Sequence, residues 1–151
     1  MNDRGDGVSE SPRVAVYTRV ARAGNPVAQD LQQFECWDWA ETRGMEIAHV
    51  YRSVGQNDLF LDLLNDIAAG KYDAVVASKH NRYSRHAVKV VTLTEVARKH
   101  GVAVHVVEWD DLDLTSPTGQ FRLDLMGGFE DLERERAIAE EQVRKSRKGL
   151  S

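Results

Sequence analysis

The chain has 151 residues, of which 42% are hydrophobic and 29% are charged, as in an ordinary single globular domain. Its one cysteine, Cys36, excludes an internal disulfide bond and a cysteine-built metal site, and no apolar run approaches the ~20 residues that span a bilayer. The net charge of −4 argues against a strong autonomous nucleic-acid binder, so we first expect a cytoplasmic protein without a membrane segment.

Apolar runs and helical patterns alternate along the chain after residues 1–12, which are expected to be a disordered leader. Strands are predicted at residues 13–18, 46–51, 72–78 and 102–107, and helices at 26–43, 57–70, 85–101 and 116–148. Strict alternation of strand and helix is typical of a parallel sheet with right-handed crossovers. The sequence therefore predicts an α/β domain over residues 13–115, with about four parallel strands and helices on both faces of the sheet.

Polar residues and glycines mark the ends of these predicted helices. Asn25 followed by Pro26 predicts a capped start of the first helix, and Asn57 predicts the cap of the second. A glycine closes each of the first three helices, at positions 44, 70 and 101. The apolar side chains of the first helix are predicted to lie on or near its inner face: Val27, Leu31, Phe34 and Trp37 or Trp39.

The last predicted helix, residues 116–148, would be ~45 Å long at 1.5 Å per residue, which is longer than a small domain is wide. Four apolar residues recur on it at helical spacing: Phe121, Leu125, Phe129 and Leu132. Such a stripe also fits an ordinary core helix, but the length favours a helix that packs on another chain. We therefore interpret residues 116–148 as a C-terminal oligomerisation helix.

Two predicted strand ends are rich in cations, at the sheet edge where binding sites form in parallel sheets. Arg19 ends the first strand, whereas Lys79, Arg82 and Arg85 follow the third. Arg82 and Arg85 are three residues apart at a predicted helix start, so they are expected to project the same way. Because a guanidinium donates two parallel hydrogen bonds and stays charged, these arginines indicate a phosphate site. For any one of them alone, a solvated loop arginine is the alternative.

The sequence carries no metal or nucleotide signature. The five histidines lack ligand spacing, and no glycine-rich phosphate loop follows a strand. His49 and His105 lie within predicted strands and are interpreted as packed or surface residues. Cys36 is interpreted as an inert small side chain.

Four motifs, in order, resemble the catalytic domain of the serine recombinases, the family of resolvases and invertases, over residues 13–148. "YTRVA" is similar to the family's Tyr-x-Arg-Val-Ser, and "NPVAQ" keeps the glutamine of its first helix as Gln29. "KHNRYSR" resembles Lys-x-Asp-Arg-x-Ser-Arg. "SPTGQF" resembles the Thr-Pro-x-Gly turn, and "FEDLERE" then resembles Phe-x-x-x-Glu-Arg-Glu.

The resemblance implies DNA strand exchange without cofactor or metal, in which a serine attacks a DNA phosphodiester and arginines stabilise the developing charge. The positions matching the family's catalytic residues are Arg19, Ala21, Gln29, Asn81, Arg82 and Arg85. The resemblance also implies that the long helix makes dimer and tetramer contacts and that its end runs along DNA. The cations there are Arg144, Lys145, Arg147 and Lys148, which as a solvated helix end would also suit the helix dipole.

Several positions depart from the family pattern. Ala21 stands at the nucleophile position, and alanine has no lone pair to offer. Asn81 replaces an aspartate and cannot act as a base. Asp58 falls about where the family has a further arginine and would repel phosphate, and Val54 stands near a common second serine. We therefore predict that the chemistry has been lost while the scaffold is kept.

The predicted function is a catalytically inactive serine-recombinase-like domain in DNA recombination. It would oligomerise with itself or with an active recombinase and would contact DNA weakly, in the cytoplasm or on the nucleoid. No DNA-binding domain is expected after residue 148. Two alternatives stay open. One is a genuine recombinase with an engineered Ser→Ala change, cut before its DNA-binding domain; the other is an anion- or nucleotide-binding module that uses the arginines.

Overall fold

The computed structural model describes residues 11–22 and 26–149. The strands are β1 (Arg13–Val20), β2 (Glu46–Val54), β3 (Ala74–Ala77) and β4 (Ala103–Val106). The helices are α1 (Pro26–Thr42), α2 (Phe60–Ala68), α3 (His80–Tyr83), α4 (Ala87–Lys99) and α5 (Pro117–Gly149). Of the predicted leader, residues 1–10 lie outside the described residues, and so does Asn25, the predicted cap of the first helix.

The four strands form one parallel sheet in the order β2-β1-β3-β4, which confirms the predicted α/β class. Successive side chains of β1 point to opposite faces of the sheet. Ala15 and Tyr17 belong to a core with side chains of α2, α3, α4 and the start of α5. Val14 and Val16 belong to a second core against α1. The sheet is therefore covered by helices on both faces, and β1 is central to both cores.

The prediction that the apolar side chains of α1 lie on its inner face is wrong for three of them. Val27, Leu31 and Phe34 face solvent, and Trp37 is half exposed, whereas Trp39 is buried as predicted. The side of α1 that meets the sheet carries Gln29, Gln32, Cys36, Trp39 and Ala40. Its two glutamines find hydrogen-bond partners on β1 and β2, so they are accommodated in the core and displace the apolar stripe outward.

Two predicted boundaries also move. β2 extends to Val54, where the backbone pairs with Asn57 through hydrogen bonds of 2.9 and 3.1 Å, so α2 begins only at Phe60 and Asn57 does not cap it. The third predicted helix, residues 85–101, begins only at Ala87 as α4, and a separate short helix, α3, precedes it, with Ser84 between the two extended (φ −161°, ψ 151°). Arg82 and Arg85 therefore do not share one helix face, contrary to the expectation from their spacing.

Helix α5 is anchored at its start and exposed along most of its length. Ser116 Oγ accepts a hydrogen bond from Gly119 N (3.1 Å), as an N-cap before a proline does. Within the described residues of α5, Gly119 and Leu123 are its buried positions. Phe121, Leu125, Phe129 and Leu132 are between 48% and 64% exposed. No helix among the described residues is both long and apolar enough to cross a membrane.

Candidate functional site

The site lies where β1 and β3 end side by side, because these strands are parallel neighbours. Arg19 is the last residue but one of β1, and Ala21 follows the strand. On the neighbouring strand, β3 leads through Ser78 and Lys79 into α3, the short helix that carries Asn81 and Arg82. The two cation-rich segments of the sequence are thus brought to one edge of the sheet.

The backbone at the end of β1 is held by the two buried glutamines of α1. Gln32 Oε1 accepts from Arg19 N (3.0 Å), and Gln32 Nε2 donates to Arg19 O (2.9 Å). Gln29 Nε2 donates to Thr18 Oγ1 (3.0 Å) and to Ser53 O (3.1 Å), so it joins α1 to both β1 and β2. These buried amides hold the main chain at the end of β1 in place, and they therefore determine the position from which the Arg19 side chain extends.

Three arginines converge at this edge, and their electrostatics are unfavourable without an anion. The pKa of Arg19 is lowered by burial first and then by the positive charges of Arg82 and Arg85. Arg19 Nη2 donates to Asn81 O. Among the described residues, the buried side-chain polar atoms without a hydrogen-bond partner are Arg19 Nε and Arg82 Nε. Unpaired donors beside crowded cations are suited to a phosphate, which accepts hydrogen bonds and carries the opposite charge.

Two cavities meet at four shared residues: Arg19, Ala21, Arg85 and His86. The smaller, of about 320 Å³, is also lined by Gly55, Gln56, Asp58, Tyr83, Ser84 and Lys89. The larger, of about 700 Å³, is also lined by His80, Asn81, Arg82, Glu130, Glu133 and Arg134. Ala21 is exposed between them. A methyl group therefore stands at the point that the arginines surround.

The hydroxyl groups near Ala21 are already engaged. Thr18 is fully buried, and its Oγ1 donates to Tyr51 O (2.8 Å) while accepting from Gln29. Ser84 lines the smaller cavity, and its Oγ accepts from His86 N (3.2 Å). The Tyr17 hydroxyl is buried, and burial raises its pKa well above the ordinary value. A nucleophile needs an accessible oxygen with an adjacent base, and none of these three hydroxyls has both.

Asp58 contributes a carboxylate to the smaller cavity. Its Oδ1 accepts hydrogen bonds from Tyr17 OH (3.1 Å) and from Phe60 N (2.9 Å), which hold it at the start of α2. Its charge favours the protonated form of Arg19, so it offsets part of the repulsion from the other arginines. A phosphate in this cavity would meet both Arg19 and this negative charge, which weakens its binding.

The predicted site residues fall into three groups. Arg19, Ala21, Asn81, Arg82 and Arg85 line one continuous pair of cavities. Gln29 lines neither cavity and lies beneath them, where it joins α1 to the sheet. The cations of residues 144–148 lie in the last turns of α5 and are all exposed.

Sequence reasoning missed several residues of these cavities. Lys89, in the first turn of α4, lines the smaller cavity. Glu130 lines the larger cavity and accepts from Ala87 N (3.0 Å), which caps α4. Glu133 and Arg134 line it as well, and their signal was the "FEDLERE" run quoted above. Gln32 carried no visible signal, since a buried glutamine looks like any surface one in a sequence.

The described residues contain no group of three or more histidine, cysteine, aspartate or glutamate side chains placed to hold a metal ion. His105 packs against Trp39 with ring centres 4.9 Å apart, and burial lowers its pKa. Cys36 is fully buried, and burial raises its pKa to about 12. Cys36 is therefore part of the core, and His105 is a partly buried, packed side chain.

A four-stranded parallel sheet with flanking helices and a long C-terminal helix is the architecture of serine recombinase catalytic domains. The family model described as the resolvase N-terminal domain matches residues 14–149. The chain therefore belongs to the resolvase family of serine recombinases.

Solved structures share this fold at low sequence identity. The N-terminal catalytic domain of TP901-1 integrase is 24% identical with a TM-score of 0.66, and the match covers 83% of this chain and 98% of that one. A resolvase family site-specific recombinase from Streptococcus pneumoniae is 21% identical with a TM-score of 0.70, covering 91% and 99%. A serine recombinase from Sulfolobus solfataricus is 20% identical with a TM-score of 0.54, covering 65% and 69%. The comparison with curated proteins found no match.

Proposed function

We propose that this domain serves DNA recombination without cleaving DNA itself, by binding DNA phosphate at the arginine site and by assembling through α5. The observation that carries the proposal is the exposed methyl group of Ala21, surrounded by Arg19, Arg82 and Arg85. Electrostatic stabilisation of a phosphate needs only the arginines, whereas covalent catalysis also needs an oxygen nucleophile. The site keeps the arginines that stabilise a phosphate, but it lacks the oxygen nucleophile that covalent catalysis needs.

Two further features support loss of the reaction. Asn81 has an amide where a proton acceptor would be needed, and Asp58 places a negative charge in the cavity. The hydroxyl of Ser84 contacts the backbone of His86, and no base adjoins it among its described hydrogen bonds. Catalysis would therefore need more than one change to return.

Contact with DNA is proposed to be weak and strongly dependent on salt. The chain has a net charge of −4, so attraction to DNA is confined to the arginine site and the exposed cations at the end of α5. About four phosphate contacts would release about four counterions, and affinity would fall steeply as salt rises. The domain would thus act beside a partner that holds the DNA more firmly.

Assembly is proposed to use the apolar stripe of α5, which is Phe121, Leu125, Phe129 and Leu132. These side chains recur along one face, and each is about half exposed or more. Exposed apolar stripes at this spacing are covered in coiled-coil and bundle contacts. The second helix would come from another copy or from an active recombinase with a similar stripe.

The test is whether the protein can form a covalent link to DNA. The unaltered protein, Ala21→Ser and Ala21→Ser/Asn81→Asp would each be joined to the same sequence-specific DNA-binding domain and incubated with end-labelled DNA. We expect no protein–DNA adduct on a denaturing gel for the unaltered protein, and at most a trace for Ala21→Ser. An adduct formed by the unaltered protein contradicts the proposal.

The adduct assay and a thermal-shift measurement separate the alternatives. Full cleavage by Ala21→Ser alone would favour a genuine recombinase whose serine had been replaced. A rise in melting temperature with inorganic phosphate or nucleotides, but no binding of short DNA, would favour a small-anion module.

A further inference from the structure

Helix α1 presents an apolar face that the domain does not cover. Val27, Leu31, Phe34 and Trp37 are 77%, 57%, 68% and 48% exposed. The first three are spaced by four and three residues, so they form one stripe along the helix, with Trp37 at its border. Four large apolar side chains on a single exposed helix face are unusual on a protein that acts alone.

The charges on α1 restrict what can cover this stripe. Between Pro26 and Thr42 the helix carries Asp30, Glu35, Asp38 and Glu41 and no lysine or arginine. Asp38 and Glu41 are exposed beside the stripe, whereas Asp30 pairs with Arg52 (2.9 Å). Two α1 helices packed face to face would bring like charges together, and nucleic acid would be repelled. The stripe therefore fits an apolar surface with basic borders.

The distal part of α5, residues 136–148, has this chemistry. Ile138 and Val143 are 53% and 52% exposed. Ala139 and Val143 form a shallow apolar patch bordered by three arginines and one carboxylate: Arg136, Arg144, Arg147 and Glu140. The segment has five cations and two carboxylates, at Glu140 and Glu141. Arginines at the border of an apolar patch can also lie over aromatic rings such as those of Phe34 and Trp37.

We propose that the apolar face of α1 binds the distal part of α5 of a second copy of this chain. A single contact between two helices is small against the ~1,200 Å² of a stable interface. In a reciprocal arrangement, α5 of each copy lies on α1 of the other copy. The same helix–helix contact is then made twice, which doubles the buried area and gives a closed dimer with two-fold symmetry. It uses neither the anion cavities nor the stripe Phe121–Leu132. Two of its cations, Arg144 and Arg147, are also proposed to contact DNA, so the contact belongs to the DNA-free protein.

Cysteine crosslinking between two variants tests the proposal directly. One preparation carries Phe34→Cys and the other Val143→Cys, and they are mixed and oxidised. The matched control replaces Phe34→Cys by Val88→Cys, which is on α4 and 72% exposed. Native Cys36 does not interfere, because it is fully buried in the core.

We expect the Phe34→Cys and Val143→Cys chains to crosslink roughly five-fold faster than the control pair at low salt, and the excess to disappear near ~1 M salt. Rates equal to those of the control would overturn the proposal. So would Phe34→Cys chains that crosslink mainly with each other, since that indicates symmetric α1 pairing.

Charge exchange supplies a second test with the same crosslinking measurement. Asp38→Lys/Glu41→Lys in the Phe34→Cys chain should slow the crosslink to the control rate, and Arg144→Glu/Arg147→Glu in the Val143→Cys chain should restore it. These side chains are exposed, so the variants are expected to fold, which circular dichroism checks. A crosslinking rate unchanged by the first pair of substitutions would contradict the proposed contact.

Discussion

The position of Arg19 depends on a residue that never touches the cavities. Gln32 is 5% exposed and uses both ends of its amide on the Arg19 backbone. Truncation in Gln32→Ala leaves a buried N–H and a buried C=O unpaired, so we expect the free energy of unfolding to fall by about 1–3 kcal/mol. Urea denaturation measures this, with Gln142→Ala on the exposed part of α5 as the control. A loss no greater than that of the control would contradict the role assigned to Gln32.

The Arg19 side chain is partly buried beside two other cations, which destabilises the folded protein when no anion is bound. Burial and the charges of Arg82 and Arg85 both lower its pKa. Arg19→Gln should therefore leave the fold intact and weaken binding of a short DNA duplex by roughly ten-fold at low salt, the equivalent of one charge-assisted hydrogen bond. Fluorescence anisotropy at fixed salt would measure it. Arg98→Gln, on the exposed end of α4, should have little effect.

His105 gives the fold a dependence on pH that is separate from the site. Burial lowers its pKa in the folded state, so the unfolded chain binds the proton more readily. The contribution of neutral His105 to the free energy of unfolding is fully present above the unfolded-state pKa of ~6.5. It is lost as the pH falls toward and through the pKa of the folded state. Unfolding free energies from pH 7.5 to 5 should fall less in His105→Gln than in the unaltered protein. His100→Gln, at an exposed position, is the control for the loss of a histidine side chain.

At the scale of elements, the alternation of strands and helices was visible in the sequence, and the orientation of α1 was not. Apolar periodicity identified a helix and predicted its apolar stripe to face inward. The structure instead turns Gln29 and Gln32 to the sheet, because the end of β1 offers them hydrogen-bond partners. Such partners belong to distant parts of the chain, so a local pattern cannot reveal them.

The start of α5 depends on a glycine for close packing. A Cβ at Gly119 would lie 2.4 Å from Asp113 O and 2.5 Å from Leu114 Cα, both backbone atoms that cannot move aside. Gly119→Ala should therefore destabilise the domain by about 1–3 kcal/mol. Gly128, in the same helix, has open space around the corresponding position, so Gly128→Ala should stabilise it by up to about 1 kcal/mol. Thermal denaturation measures the melting temperatures of both variants. Changes of the same sign in the two melting temperatures would contradict the role assigned to Gly119.

For the whole molecule, the sequence indicated the convergence of Arg19, Arg82 and Arg85 better than it indicated their surroundings. Parallel strand order brings the ends of β1 and β3 together, which the alternation of elements already implied. The extended residue Ser84 and the contact from Glu130 of α5 to α4 depend on tertiary packing. The larger cavity is thus built partly by α5, the helix proposed for assembly, so association and the anion site share a structural element.

That shared element leads to a prediction for the assembled protein. Leu132 is 58% exposed in the stripe of α5, and a carboxylate there would be desolvated in any helix pairing. Leu132→Asp should weaken self-association at least ~10-fold in sedimentation velocity, since buried apolar anchors carry most of an interface's energy. Leu61→Asp, at a 66% exposed leucine of α2, controls for the added charge and should leave association unchanged. Equal association of both variants and the unaltered protein would show that this stripe makes no contact between chains.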